Sequence, residues 1–334
     1  MKKTAVLLAC VSLFCACGTV GCKQNNNEIF VYMPDGAPAL ALAGAMAEDT
    51  ADDGVSYRVV NPSVIVTRVT AEKPENNADI CVLPLNSATQ KLGKGDKYQM
   101  LGAVTHGNLF LVSKNTDTAY TAENLTALKG KTVGVLQLDK VPGLTLKTVL
   151  KKQGIAFFEG EETQADKVRL VGLASAQDMG VVDADCFLLA EPAVSAQAKN
   201  GYKIVGDLQA LYGGEFGYPQ AVLVAKKSLI TENGEWLRAF ISSVKSSVEW
   251  LEKASGAQIV SAVEAHLEDA EYATGLKAQI LDIEGVKARC GVRFESSLSC
   301  AARASEYLAL AKTVNEKLAV LPDGNFYCMA DFNG

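Results

Sequence analysis

Histidine is scarce in this chain. Of 334 residues only His106 and His266 carry an imidazole, and no His-x-x-x-His or Cys-x-x-Cys spacing occurs after residue 22. A catalytic zinc site needs several such ligands at fixed spacing, so no metal is expected. Gly-x-Ser-x-Gly, His-Glu-x-x-His and Walker-type phosphate loops are missing too, which removes the usual signatures of serine hydrolases, zinc proteases and nucleotide-binding enzymes. Positive charge is also short. Lys and Arg number 32 against 38 Asp and Glu, a net charge of −6, which argues against a nucleic-acid partner. Beyond the first residues no stretch approaches 18 unbroken apolar positions, so no later segment is expected to span a membrane. There is no internal repeat, and no low-complexity segment beyond one short polar run.

What is present begins at the N-terminus. Lys2 and Lys3 form a positive head, residues 4–16 are uncharged and rich in Ala, Val, Leu, Phe and Cys, and small residues follow. This is the layout of a secretory signal peptide, whose apolar core is too short to remain in a bilayer. Phe14-Cys15-Ala16-Cys17 and Thr19-Val20-Gly21-Cys22 each place a small residue before a cysteine, and both resemble the bacterial lipobox. Residues 1–21 are therefore expected to act as a lipoprotein signal, with cleavage before Cys17 or Cys22 and lipid on that cysteine. Cys17 fits better, since it ends the apolar run. Residues 23–27, Lys-Gln-Asn-Asn-Asn, can bury nothing and read as a linker.

The remaining residues suffice for two domains of ordinary size, with an apolar fraction of 49%. Short apolar strands alternate with helix-like segments. Strands are expected at 28–33, 55–60, 79–83, 100–105, 109–112, 132–136, 168–172, 186–189 and 221–225, and helices at 39–47, 84–92 and 144–153, the last beginning after a Pro142-Gly143 turn. The polar segment 115–122 marks a crossing point, and 213–219 is too Gly-rich for regular structure. After residue 226 amphipathic helices are expected at 232–252, 257–267 and 301–318, with Trp236 and Trp250 as packing residues. Such alternation predicts an α/β fold with largely parallel sheets. Of the later cysteines, Cys81 and Cys186 sit in apolar strands, and an oxidising compartment leaves a Cys290–Cys300 bridge open, which spacing alone does not show.

Ala78-Asp79 and Ala184-Asp185 each open an apolar strand that closes on a proline turn, at Pro84 and at Glu191-Pro192. With the lipobox, Met33-Pro34-Asp35-Gly36-Ala37-Pro38 and Leu321-Pro322-Asp323-Gly324-Asn325-Phe326-Tyr327, these segments resemble the substrate-binding lipoproteins of ABC importers. The likeness is to the nitrate/sulfonate/taurine and thiamine-precursor group, with its two-lobed type II periplasmic-binding-protein-like fold. The resemblance implies lobe one at 28–113 plus 222–334, lobe two at 114–221, and a hinge through strands near 109–114 and 221–226. It implies a monomeric, extracytoplasmic receptor, lipid-anchored to the outer face of the cell membrane or in the periplasm. That receptor would pass a small molecule to an ABC permease without a cofactor and without catalysis.

Ligands of open α/β sheets bind beyond strand carboxyl ends, beside helix N-termini with unpaired N–H donors. The candidate ligand-binding residues are therefore Asp35, Gly36 and Ala37, then Asn86 and Ser87, which can instead cap their helix. Gly143, Leu144 and Thr145 follow at a helix start in lobe two. His106 and Asn108 flank a glycine that would let a ligand approach; the alternative for His106 is an exposed loop position. Glu191 can accept hydrogen bonds from a ligand or cap the next helix, and Tyr218, with Glu215 and Phe216, can close over a ring. Among these loops Lys140 is the only basic residue. That balance favours a nitrogen-containing heteroaromatic such as a pyrimidine over a sulfonate or nitrate; an anion receptor or a secreted enzyme on the same fold is the alternative.

Overall fold

In the computed structural model, residues 28–49, 54–73 and 76–332 are described. The signal, the lipidation candidates Cys17 and Cys22 and the linker lie outside them. The chain begins with β1 (Ile29–Pro34), β2 (Val55–Val60), β3 (Ile80–Pro84) and β4 (Tyr98–Thr105). It then builds β5 (Leu109–Ser113), β6 (Thr132–Leu136), β7 (Phe157–Glu159), β8 (Val168–Leu173), β9 (Cys186–Ala190) and β10 (Lys203–Asp207). Finally β11 (Ala221–Lys226) and β12 (Val292–Ser296) return to the first group. The strands form two six-stranded sheets, ordered β12-β4-β11-β3-β1-β2 and β10-β5-β9-β6-β8-β7. This is the two-lobed periplasmic-binding-protein fold.

Alternation explains why the central strands are apolar throughout. In β1 and β3, Val31, Met33, Ile80 and Val82 enter one core while Tyr32, Cys81 and Leu83 enter the other. A strand covered on both faces cannot show an apolar–polar alternation. Within lobe one β1, β2 and β3 are parallel, and β11 is antiparallel to both β3 and β4. The carboxyl ends of β1 to β4 therefore share one edge. In lobe two β6, β7, β8 and β9 are parallel, with β5 antiparallel to β9 and to β10. Since β5 starts only a few residues after β4 ends, the carboxyl edges of the two sheets face each other across the hinge.

The chain crosses between the lobes at residues 106–108 and again at 213–220. Several expectations are corrected here. Strand β5 hydrogen-bonds to β9 and β10, so residues 109–113 belong with the second sheet, not with lobe one. The strands 109–114 and 221–226 are ladder-bonded members of opposite sheets, and the turning points are the short segments before each. Segment 115–122 stays within lobe two, where Tyr120 N donates to Val205 O. Residues Pro142 and Gly143 lie inside the first turn of the Val141–Lys152 helix, because proline is tolerated where its missing N–H would be unpaired. The helix expected at 39–47 is two, Ala37–Leu40 and Ala43–Ala47. Cys290 and Cys300 are free thiols, buried in cores on opposite faces of the first sheet, so no bridge joins them.

The Ser297–Val314 helix ties the lobes together. Its first turns follow β12 in lobe one, and further along it packs on the Val141–Lys152 helix of lobe two. Tyr307 Oη lies 3.0 Å from Thr145 Oγ1, and its ring stacks on Tyr218 with centroids 5.2 Å apart. Tyr212 meets Tyr307 edge-on at 5.8 Å. One apolar core thus runs from lobe one through this helix into lobe two. Replacing Tyr307 with Ala removes the ring that joins four elements. We expect a loss of about 3–5 kcal/mol, the usual cost of deleting a large buried aromatic, read from the urea unfolding midpoint.

Candidate functional site

The first loop of the cleft edge follows β1. Asp35 is 8% exposed and both its oxygens are occupied. Oδ1 accepts from Gly36 N at 2.8 Å and Thr274 Oγ1 at 2.7 Å, and Oδ2 from Gly275 N at 2.7 Å and Tyr272 Oη at 3.0 Å. Asp35 therefore anchors segment 272–275 within lobe one. Burial and the adjacent Asp35 carboxylate push the Tyr272 phenol up to about 12, so it stays a donor. Gly36 adopts φ 99°, a conformation that explains glycine at this turn. Ala37 is buried beneath it.

After β3 the Leu85–Leu92 helix starts directly from Pro84 with no side-chain cap. Asn86 is two residues past the cap position; its Nδ2 donates to Leu318 O at 3.2 Å. Ser87, half-buried in the same turn, remains the polar side chain there that is open to solvent. In lobe two, Gly143, Leu144 and Thr145 are all buried. A Cβ on Gly143 would sit 1.8 Å from Leu138 O, so glycine is demanded by a close backbone approach. Leu144 N already donates to Lys140 O at 2.9 Å, and Thr145 faces Tyr307. The turn before this helix holds Gln137 at φ 61°, the one non-glycine with positive φ among the described residues. Backbone strain of this kind concentrates at functional sites.

The hinge gathers His106, Asn108, Glu191 and Tyr218. Glu191 N donates to Asn108 O at 2.9 Å, and Asn108 Nδ2 to Glu191 O at 3.2 Å. Gly107 packs so tightly that an added Cβ would meet Gln209 Oε1 at 2.3 Å and the Tyr218 ring at 3.0 Å. The Glu191 side chain is fully buried. Its carboxylate accepts from Ser195 N at 3.0 Å and Ser195 Oγ at 2.7 Å, which caps the following helix, and from Arg289 Nε at 2.8 Å. Tyr218 is wholly buried against Tyr307 and Tyr212; burial, then the neighbouring Tyr307 and Asp207, hold its phenol well above the ordinary range.

His106 is not an exposed loop residue. It is 3% exposed and its Nε2 lies 2.9 Å from Glu295 Oε2. Burial first, then the guanidinium of Arg293, lowers its pKa to about 4, against the carboxylate's opposing pull. At neutral pH the ring is therefore uncharged, with Nε2–H donating to Glu295 and Nδ1 left as an acceptor. Glu295 is also held by Arg303 Nη2, and both Arg293 and Arg303 lie over the Phe216 ring, at 4.3 and 5.1 Å.

The expected shortage of basic residues is thus corrected. Arg289, Arg293 and Arg303 reach the hinge from the C-terminal part of the chain, which the motif loops do not include. No local pattern marks them, since Arg289 is 98 residues from Glu191 in sequence. Their charge is largely matched on the spot by Glu191 and Glu295. Four buried polar atoms on the two crossings have no partner among the described residues: His106 Nδ1, Asn108 Oδ1, Tyr218 Oη and Gln220 Oε1. Buried polar atoms are ordinarily paired, so four such atoms where the two lobes meet are informative.

The neutral, buried His106 makes stability depend on pH with a definite sign. Its folded pKa lies below the ordinary 6.5, so the unfolded chain takes up the proton more readily. The contribution is complete above about pH 6.5 and is lost as pH falls toward about 4. Urea midpoints measured across that window should fall more steeply for the parent chain than for His106→Gln, which keeps a donor for Glu295 without titrating.

Among solved structures, an ABC transporter protein from Parabacteroides distasonis superposes with a TM-score of 0.68 at 20% identity, covering 91% of this chain and 100% of that one. The periplasmic aliphatic sulphonate binding protein SsuA from Escherichia coli gives 0.60 at 14% identity over 87% of each chain. The alkanesulfonate-binding protein SsuA from Xanthomonas axonopodis pv. citri, bound to MOPS, gives 0.56 at 15% identity over 89% of this chain and 96% of that one. These likenesses establish the fold. No curated protein matches by sequence. Residues 51–254, more than half of the chain, match the family model described as NMT1/THI5 like, and the chain belongs to that family.

Proposed function

We propose that this protein is the solute-binding component of an ABC importer, working outside the cytoplasmic membrane as a lipid-anchored monomer. It holds a small molecule between its lobes and passes it to a permease. The family match, the fold shared with sulfonate-binding neighbours and the signal-like N-terminus support this reading. Capture needs only that ligand contacts on both lobes favour the closed arrangement, so no bond is made or broken.

The observation that carries the ligand class is the set of unpartnered acceptors on the crossings. His106 Nδ1, Asn108 Oδ1 and Gln220 Oε1 lack a donor, while Arg293 Nη2 and Arg303 Nε beside the crossings lack an acceptor, a set that suits a ligand carrying both N–H groups and ring-nitrogen or oxygen acceptors. A sulfonate or nitrate offers acceptors only and would leave them unpaired, whereas an amino-substituted heteroaromatic such as an aminopyrimidine presents N–H groups along one edge. Gly36, Ser87 and Gln137, at the facing strand ends, are the further contacts we assign to the ligand.

Thermal-shift and calorimetric titration against aminopyrimidines, amines, alkanesulfonates and nitrate tests this. A ligand at 100 times its Kd should add about 2.7 kcal/mol to stability. Aminopyrimidine binding is the expected result, and Gln220→Ala should weaken it by roughly 2- to 10-fold, as for one lost neutral hydrogen bond. Binding of alkanesulfonate alone would overturn the ligand class, and no stabilisation by any of these would overturn the capture reading. Mass spectrometry of the mature N-terminal peptide, expected to carry lipid on Cys17 or Cys22, checks the anchor.

A further inference from the structure

Arg289 and Glu191 form an ion pair between the lobes, as the more exposed Lys152 and Glu306 also do, but here the carboxylate is fully buried. The carboxylate follows β9 in lobe two, and its side chain is fully buried; the guanidinium stands at the end of the Val286–Arg289 helix in lobe one and is about one-third exposed. Arg289 Nε donates to Glu191 Oε1 at 2.8 Å and Nη2 to Ser195 Oγ at 3.0 Å, so the planar fork grips both the acid and the residue it caps. Arg289 is the only cation within ion-pair distance of Glu191 among the described residues. Every other partner of that carboxylate lies in its own lobe and is neutral.

From this geometry we propose that Arg289 is the closure-determining residue of the protein, a cross-lobe latch whose engagement with Glu191 sets the balance between closed and open lobes. The proposal rests on the reading of the lobes as a hinged clamp. A fully buried carboxylate stripped of its cation is costly inside a protein. In a rigid core that cost would appear as lost stability. Here it has another outlet, because the pair lies across the boundary between lobes. Parting the lobes brings water to Glu191 and solvates it. The net attraction of a buried pair over its hydrated halves is small, so the equilibrium is poised rather than locked. The second crossing has room to turn: Gly213 and Gly214 hold positive φ, and nothing lies within 4 Å of where a Cβ would stand on either. The Arg289 guanidinium also lies against the backbone of Gly285 at the start of its own helix, which limits its freedom to follow the departing carboxylate.

The test uses the full chain without ligand. Spin labels on cysteines replacing the exposed residues Lys199 in lobe two and Glu284 in lobe one report the distance across the latch by pulsed electron resonance. The native cysteines in the described residues are buried. The Arg289→Ala variant should shift the distribution toward longer distances while its unfolding temperature stays within a few degrees of the parent. An unchanged distribution, or a lowered unfolding temperature without lengthening, would overturn the proposal and reduce the pair to fold support. Should Arg289→Ala fail to fold, Arg289→Lys carries the test. Lysine keeps the charge but has no planar fork to hold Glu191 and Ser195 together. A smaller lengthening is then expected, and an unchanged distribution again overturns the latch. Because the readout needs no ligand, its failure leaves the solute-binding reading standing, and a ligand panel without hits leaves the latch standing.

Discussion

The packing of Tyr218 on Tyr307 is the contact on which the architecture turns. Tyr218 lies on the second crossing between the lobes, and Tyr307 on the helix that follows the last strand of lobe one. Through Thr145 the same ring reaches the Val141–Lys152 helix of lobe two. Two sheets joined only by short crossings would share little apolar surface. This stack lets one core pass from lobe to lobe, so burial of aromatic area, the strongest non-directional force available, fixes one side of the clamp.

Where the Ser297–Val314 helix meets the Val141–Lys152 helix the packing is mainly apolar, with Lys152 and Glu306 paired at its rim, whereas the two crossings add polar and charged contacts beside the Tyr218 stack. His106 with Glu295, Arg303 over Phe216, and Arg289 with Glu191 all lie around the two crossings. The difference has a physical consequence. Apolar packing loses heavily on any separation, whereas an ion pair exchanged for water loses little. A two-lobed body carrying contacts of both kinds is held by its shared apolar core and adjustable where its charged pairs lie. Neutral His106 belongs to this polar set, and its unpaired acceptor sits among the groups suited to a ligand's N–H edge.

Several residues that looked like site candidates serve the scaffold. Asp35 holds segment 272–275, Asn86 receives the returning C-terminal chain, Gly143 fits against Leu138, and Glu191 caps its helix and meets Arg289. Each sits at the strand end where the sequence points. Strand ends present polar groups whether the partner is a ligand or another loop, and local spacing does not distinguish the two.

Legible in the sequence were the α/β alternation, nine of the twelve strands among the described residues (β7, β10 and β12 were not), and the edge at which polar groups collect. These follow from apolar runs of strand length and from Gly and Pro punctuation, which act over a few residues. It also carried the resemblance to the importer lipoproteins. Tertiary structure alone decided that residues 109–113 join the second sheet, that three arginines arrive at the hinge, and that His106 is buried and neutral. Those outcomes depend on pairings between residues about 80 to 190 positions apart. No local periodicity encodes such distances; they are set by which faces must be covered once the sheets have formed.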